Sequence, residues 1–304
     1  MVIERTLSGA SMLCVLAGFV ALSQTSSAES DLGFKDCPVC PAMVVIPPGE
    51  FMMGSAATET GRTEREGPFH RASVREWLAI GKYEVSFAEW DNCVAEGGCK
   101  DHHPNDEGWG RTRRPVINVS WNDAIAYVVW LSAKTAAAYR LLSETEWEYA
   151  ARAGTTETRY WGDTSALACE FGNTLDWSAG DLVAGAEQAH ECDDGHATTA
   201  PVGSYAANGF GLHDMIGNVS EWVEDCWFLG YVGGPVDGSA RSRSRGGNPI
   251  EPTARLSPGD CNKRGHRGGG WNSGPDDARS ASRAGHDRNF RGNSVGFRVA
   301  RRAP

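Results

Sequence analysis

The pattern of apolar and polar positions predicts short, well-delimited elements in the first half of the chain. The apolar run from Met43 to Ile46 ends at two prolines and is typical of a buried strand, and a second extended element begins at Phe51. Three serines each stand three residues before an acidic residue at the start of a helical pattern, which is the signature of a capping box. The predicted helices follow Ser86, Ser120 and Ser143.

The second half of the chain has a different pattern. After residue 155 no segment keeps helical periodicity over the length of a helix, and short apolar stretches alternate with glycine-rich loops. The chain has 37 glycines and 11 tryptophans in 304 residues, an excess that favours a loop-rich fold packed around large aromatic side chains. No repeat or break in composition marks a second domain, so we expect one compact α+β domain with little regular secondary structure.

The N-terminus has the pattern of a secretory signal peptide. Arg5 precedes an apolar run of about ten residues, which is too short to span a bilayer, and small residues follow it. We interpret residues 1–28 as the signal peptide, 29–40 as a tether and 41–304 as the folded domain. We expect no transmembrane segment, and we expect the mature protein to be periplasmic or secreted.

Cysteine usage agrees with export. Cys14 lies in the predicted signal peptide, and the other eight cysteines are an even number, as expected of disulfides in an exported chain. Cys37-Pro-Val-Cys40 is either a structural disulfide or a redox-active pair; we favour the first because no helix follows to lower a thiol pKa. A zinc site is disfavoured because no second pair has ligand spacing. Among the many connectivities that remain, we select Cys93–Cys99, Cys169–Cys192 and Cys226–Cys261.

Charge is unevenly distributed along the chain. The formal net charge of −10 disfavours a general nucleic-acid-binding protein. Between Arg241 and Arg302, however, the sequence has 14 basic and 5 acidic residues, so this part carries a formal charge of +9 and the rest of the chain −19. These arginines either pair with the acidic remainder inside one domain, which is the simpler interpretation, or form a basic wall for an anionic ligand.

Several segments in a defined order carry a family resemblance. They include Tyr83-Glu-Val85, Arg140-Leu-Leu-Ser-Glu-Thr-Glu-Trp-Glu-Tyr-Ala-Ala-Arg152, Met215-Ile-Gly-Asn-Val-Ser-Glu-Trp222, Arg267-Gly-Gly-Gly-Trp271 and Gly296-Phe-Arg-Val-Ala-Arg301. Over about residues 43–302 the chain resembles the formylglycine-generating enzyme family, also called the sulfatase-modifying factor family. The resemblance implies one compact domain, related to C-type lectins, with bound calcium.

The resemblance implies two structural calcium sites, each combining side-chain and carbonyl oxygens on a loop. The first set comprises Asn173, Thr174, Asp194 and His196, of which Thr174 and His196 would supply backbone carbonyls. The second set comprises Asp214, Gly217, Val219 and Glu221, with carbonyls from Gly217 and Val219. Taken from the residues alone, both segments could equally be turns.

The chain departs from the family where the chemistry of its oxidases lies. Those oxidases bind copper through two cysteines shortly after the glycine motif, whereas here Gly268 to Trp271 is followed by Asn272 to Arg279, a segment without cysteine. Serine and asparagine cannot replace thiolates as ligands of Cu(I). We therefore expect no copper-dependent formation of formylglycine.

The candidate site residues surround this motif. The candidate catalytic residues are Trp271, Asn272, Ser273 and His286, and the candidate substrate-binding residues are Arg279, Arg283 and Arg291. His286 could serve as a base for Ser273, although a lone histidine is more often a surface or hydrogen-bonded residue. Arg279 and Arg283, four residues apart, either bind a carboxylate-rich ligand or hold carboxylates of the fold.

Details of the sequence are similar to the exported, pyoverdine-maturation type of the family. They are the signal peptide, the Cys37–Cys40 pair, the segment Glu221 to Trp227 and the short loop after the glycine motif. This resemblance implies an enzyme that modifies or matures a peptide or peptide-like substrate in the periplasm, by oxidation. The alternative is a non-catalytic, lectin-like binding module for a peptide, glycan or partner protein. A thiol oxidoreductase using Cys37 and Cys40 is the least favoured hypothesis.

Overall fold

The three predicted capping boxes start helices. The structure is a computed structural model that describes residues 1–2, 33–183, 188–242 and 259–304. Its helices are α1 (Phe87–Ala95), α2 (Trp121–Thr135), α3 (Glu144–Arg152) and α4 (Ala168–Phe171). Before each of the first three, the serine side chain accepts a hydrogen bond from the N3 amide, and the N3 carboxylate accepts one from the serine amide. In the described part after residue 155, helix is limited to α4 and short 3-10 turns, as predicted.

Short strands form three sheets among the described residues. The strands are β1 (Gly33–Phe34), β2 (Met43–Ile46), β3 (Gly49–Met53), β4 (His70–Val74), β5 (Leu78–Gly81), β6 (Ser220–Phe228), β7 (Gly259–Arg267), β8 (Arg283–Asp287), β9 (Val295–Gly296) and β10 (Ala300–Arg302). One sheet has the order β1-β2-β5-β10, β3 pairs with β4, and the last sheet has the order β8-β7-β6-β9. β6 and β9 are parallel, and the other pairs are antiparallel.

Large aromatic side chains fill the space between helices and sheets. Trp90 of α1 stacks on Tyr127 of α2, and both contact Phe297 edge-on. Trp147 of α3 lies in a second cluster with residues of β2, β5 and β6. The tryptophan excess therefore lies largely in the core, and the α+β class of one compact domain is confirmed.

The described N-terminal segment packs against the domain. β1 pairs with β2 at one edge of the first sheet, and both carboxylate oxygens of Asp36 accept hydrogen bonds from Arg301. Residues 33–40 thus belong to the compact unit Leu32–Pro304, which corrects the expected tether. The predicted signal peptide lies outside the described residues apart from its first two.

Four disulfides join the eight cysteines beyond the predicted signal peptide. The pairs are Cys37–Cys40, Cys93–Cys99, Cys169–Cys192 and Cys226–Cys261. The selected connectivity is therefore confirmed. No helix in the described part of the chain is long and apolar enough to cross a bilayer.

Candidate functional site

Many of the described arginines in the basic C-terminal part are bound to acidic residues of the same domain. Five of them form ion pairs with acidic residues from the first part of the chain or from β6: Arg267–Glu148, Arg279–Glu66, Arg283–Glu144, Arg298–Glu221 and Arg301–Asp36. The first four arginines have side chains no more than 1% exposed. A buried charge is tolerated only when it is paired and hydrogen-bonded, so these residues build the fold and do not form a basic wall.

The two arginines expected to bind substrate illustrate this role. Arg279 donates to both oxygens of Glu66, to Glu59 and to two backbone carbonyls, which uses all its N–H groups. Arg283 donates to both oxygens of Glu144 and to two carbonyls. The geometry thus favours the structural alternative for this pair. Their assignment to substrate binding stays a prediction, and Arg283, unlike Arg279, lines the cavity described next.

A glycine turn after β7 forms one wall of a cavity of about 280 Å³. Gly268 and Gly269 have positive φ angles of 95° and 69°. A Cβ at Gly268 would lie 2.9 Å from a backbone carbonyl oxygen and from the Trp147 ring, and one at Gly269 would lie 2.9 Å from the Ser273 side chain. Only glycine fits this close turn, which explains the Gly-Gly-Gly motif locally.

The other candidate residues divide between the cavity and its surroundings. Asn272, Ser273 and His286 line the cavity, whereas Trp271 and Arg291 do not. Trp271 packs edge-on against Trp109, and its Nε1 donates to the carbonyl of Asn293. Arg291 is half-exposed and donates to Asp123 at 2.8 and 3.1 Å.

Ser273 and His286 do not form a pair. Ser273 Oγ accepts a hydrogen bond from the Gly270 amide at 3.0 Å, which closes the turn. His286 Nδ1 instead lies 2.8 Å from Nε2 of His266. The expected nucleophile and base are therefore separate, and the histidine belongs to another network.

That network is a chain of three side chains in the cavity wall. Ser220 Oγ lies 2.6 Å from His266 Nδ1, and His266 Nε2 lies 2.8 Å from His286 Nδ1. The His266 and His286 rings are nearly parallel, and Phe290 stacks on His286 with ring centroids 4.1 Å apart. Ser220, His266 and His286 all line the cavity.

The strand registers place Ser220, His266 and His286 next to one another. His266 on β7 stands opposite Trp222 on β6 and Ala284 on β8. Ser220 and His286 each lie two residues from those partners and therefore share the face of the sheet with His266. Sequence reasoning missed Ser220 and His266 because no local motif joins residues 46 apart, and only the registers could have revealed them.

Burial keeps both rings neutral. Desolvation, helped by the neighbouring His286, lowers the pKa of His266 to about 3. Partial burial and then the charge of Lys263 also lower the pKa of His286. At neutral pH each ring therefore carries one N–H and one bare nitrogen, so it can both donate and accept a proton.

The first expected calcium set contains an atom that fits a cation. Oδ1 of Asn173 and Oγ1 of Thr174 are buried without a hydrogen-bond partner among the described residues. Asp194 accepts hydrogen bonds from the Tyr205 hydroxyl and the His196 amide, and burial raises its pKa. An orphaned carbonyl oxygen is a ligand that a hard cation would satisfy.

The second expected set fits less well at Glu221. Its two oxygens accept hydrogen bonds from Arg298 at 2.6–2.8 Å and from Trp147 Nε1 at 2.8 Å, which occupies the carboxylate. The orphaned oxygens here belong to Asp214 Oδ1 and to both oxygens of Glu84. Burial, together with the charge of Asp214, raises the pKa of Glu84 well above its ordinary range. Glu84 is a residue that the sequence reasoning did not select.

Comparison with known proteins gives a consistent result. Residues 30–303 match the family model described as the sulfatase-modifying factor enzyme 1-like domain. The chain is 34% identical over 235 residues to the formylglycine-generating enzyme of Thermomonospora curvata, covering 62% of this chain and 73% of the relative. It is 44% identical over 120 residues to that of Streptomyces coelicolor, covering 39% of this chain and 34% of the relative, about a third of its length.

Solved structures extend the likeness to nearly the whole chain. PvdO from Pseudomonas aeruginosa is 34% identical, with a TM-score of 0.72 over 90% of this chain and 98% of that one. Treponema denticola variable protein 1 is 20% identical with a TM-score of 0.63 over 89% and 98%, and shares the fold. With a family model that covers residues 30–303, the chain belongs to the formylglycine-generating enzyme, or sulfatase-modifying factor, family.

Proposed function

We propose that the protein is an exported enzyme that modifies a peptide or peptide-like substrate in the cavity beside Gly268–Gly270. The observation that carries this proposal is the cavity itself, whose wall holds a neutral hydrogen-bonded chain ending in a histidine. Enclosed sites with a few convergent polar groups are the usual places for catalysis. The family and the likeness to PvdO support an activity on a peptide-like molecule.

The modification would proceed without the copper–thiolate chemistry of the family's oxidases. All eight described cysteines are in disulfides, so the described part of the chain offers no thiolate for Cu(I). The same four disulfides support export, because such bonds persist in the periplasm or outside the cell. The reaction we favour is an oxidation, for which dioxygen would be the oxidant.

The test compares a blocked cavity with a matched control. Ala284→Phe would place a ring in the cavity that Ala284 lines, whereas Ala133→Phe adds the same ring at an exposed position on α2. Purified mature protein is incubated with chromophore-bearing synthetic peptides, with and without dioxygen, and the peptide masses are measured by mass spectrometry. We expect a mass change with wild type and Ala133→Phe, and none with Ala284→Phe or without dioxygen.

Two results would contradict this proposal in different ways. Equal conversion by Ala284→Phe would place the active site elsewhere. Saturable peptide binding that Ala284→Phe abolishes, with no change in peptide mass, would identify a lectin-like binding module instead. That module is the alternative favoured by the missing copper cysteines.

A further inference from the structure

The hydrogen bonds around Ser220 fix a direction for the chain of Ser220, His266 and His286. Ser220 Oγ lies within hydrogen-bond distance of two groups, His266 Nδ1 at 2.6 Å and the backbone carbonyl of Arg267 at 3.0 Å. A hydroxyl has one proton to donate and can accept as well. A carbonyl can only accept, so both contacts are hydrogen bonds only if Ser220 donates to the carbonyl and accepts from His266 Nδ1–H.

The direction of the hydrogen bond at Ser220 also determines which nitrogen of His286 carries the proton. With its proton on Nδ1, the neutral His266 ring has a bare Nε2, which must accept from Nδ1–H of His286. The neutral His286 ring then has a bare Nε2. Among the described residues this nitrogen makes no hydrogen bond, and His286 lines the cavity. The resting chain thus presents a free base to a bound molecule.

We propose that Ser220, His266 and His286 form a bifunctional proton relay, which takes a proton from one atom of the bound substrate and returns one to another. His286 is the base and Ser220 is the acid, and both line the same cavity. The substrate class is a molecule with an acidic N–H, O–H or activated C–H and a second atom that accepts a proton, so the relayed step is a tautomeric shift of the substrate that accompanies its proposed oxidation. The relay rests on the proposed function, because its three side chains line the cavity that we propose as the substrate site.

The step balances without an oxidant. Nε2 of His286 takes the substrate proton as Nδ1–H of His286 passes to Nε2 of His266. Nδ1–H of His266 passes to Ser220 Oγ, and the original hydroxyl proton of Ser220 leaves its hydrogen bond to the Arg267 carbonyl and goes to the accepting atom of the substrate. Each of the three side chains ends with as many protons as it began with, and the substrate has gained and lost one.

A serine nucleophile is the competing interpretation of the same geometry. It would require His266 to hold a full positive charge after deprotonating Ser220. Among the described residues the His266 ring hydrogen-bonds to Ser220 and His286 and to no carboxylate. Glu144 acts on the ring only through its charge, and the pKa of about 3 disfavours a positive ring. In the relay no ring stores a charge, because a proton leaves as another arrives, so the relay suits this environment better.

The relay is tested in the protein alone by the tautomers of its histidines. A nitrogen that carries a proton and one that does not give well-separated signals in long-range proton–nitrogen NMR spectra of ¹⁵N-histidine-labelled protein. Among the eight histidines, those of interest are assigned with His266→Gln and His286→Gln. At neutral pH we expect both wild-type rings to carry the proton on Nδ1.

The decisive variant is Ser220→Ala. It removes the acceptor of His266 Nδ1–H, and a buried donor without a partner is costly, so His266 should move its proton to Nε2. That proton then points at His286, which must also switch to Nε2–H although Ser220 does not touch it. Ser204→Ala, at an exposed serine outside the cavity, should change neither ring.

The outcomes separate the relay from the proposed function. A His286 tautomer that stays unchanged in Ser220→Ala, or either ring doubly protonated at neutral pH, would overturn the relay whether or not a product is found. In the peptide assay, Ser220→Ala and His286→Gln should each slow product formation about 100-fold, and Ser204→Ala less than about twofold. Tautomers as expected with full activity in Ser220→Ala would also overturn the relay.

Discussion

Arg267 and His266 are neighbours on β7 and belong to two different kinds of polar network. Arg267 is fully buried, carries a charge and donates to Glu148, to the Tyr231 hydroxyl and to a carbonyl. His266 is neutral and joins a chain whose last nitrogen has no hydrogen-bond partner among the described residues. The charge of Arg267 is compensated by a buried carboxylate and maintains the fold, whereas reactivity is left to a neutral chain with one free end.

The largest expected effect comes from breaking a saturated pair. Arg298→Met would leave Glu221 buried with its charge uncompensated and would free three backbone carbonyls, so the free energy of unfolding should fall by about 3–5 kcal/mol. Urea denaturation measures the loss. The control is Arg302→Met, whose pair with Glu76 has side chains 78% and 51% exposed and should contribute less than about 1 kcal/mol. Equal losses would remove the distinction between architectural and surface arginines.

A smaller effect is expected from calcium, where the carboxylates are not saturated by arginine. If calcium binds through Asn173 and Asp194, chelation should lower the free energy of unfolding by about 2.7 kcal/mol relative to calcium at one hundred times its Kd. Asp194→Asn should abolish this response, while Asp287→Asn, at an exposed carboxylate, should keep it. A melting curve that chelation leaves unchanged in wild type would contradict a structural calcium.

The smallest expected effect is on the pH dependence of stability, and it concerns the buried pair of Glu66 and Arg279. Burial alone would raise the pKa of Glu66, but the hydrogen bond and charge of Arg279 outweigh it and lower this pKa below its ordinary value. A carboxyl with a lowered folded-state pKa stabilises above its unfolded pKa of about 4.5 and loses that contribution as pH falls through the folded value. Glu66→Gln should therefore cost about 1.5 kcal/mol at pH 7 and show a shallower loss of stability below pH 4.5. Parallel stability–pH curves would show that the pair contributes nothing.

Features that depend on residues close together in the sequence could be predicted. Ser86, Ser120 and Ser143 form capping boxes because the cap and its acidic partner are three residues apart. The even number of cysteines predicts disulfides, whereas parity alone does not determine their pairing. Within the site, the family resemblance indicates Asn272, Ser273 and His286, and these three residues line the cavity.

Features that depend on distant partners could not be predicted. In the sequence, Arg279 and Arg283 resemble ligand-binding residues. In the structure they donate to Glu66 and Glu144, which lie 213 and 139 residues away in sequence. Ser220, His266 and His286 come from three strands, and only the pairing of β6 with β7 and of β7 with β8 aligns them. A sequence pattern records the side chain but not the partner that neutralises it.

The pairing of β10 with β5 has a consequence for biogenesis. Ala300 stands opposite Ile80, so this sheet must wait while about 220 further residues are synthesised before its last strand can join. Until then β5 lacks its second neighbour, and the Asp36–Arg301 contact cannot form. If the protein is exported, as we propose, an edge strand that stays unpaired this long would delay completion of the sheet until β10 has emerged.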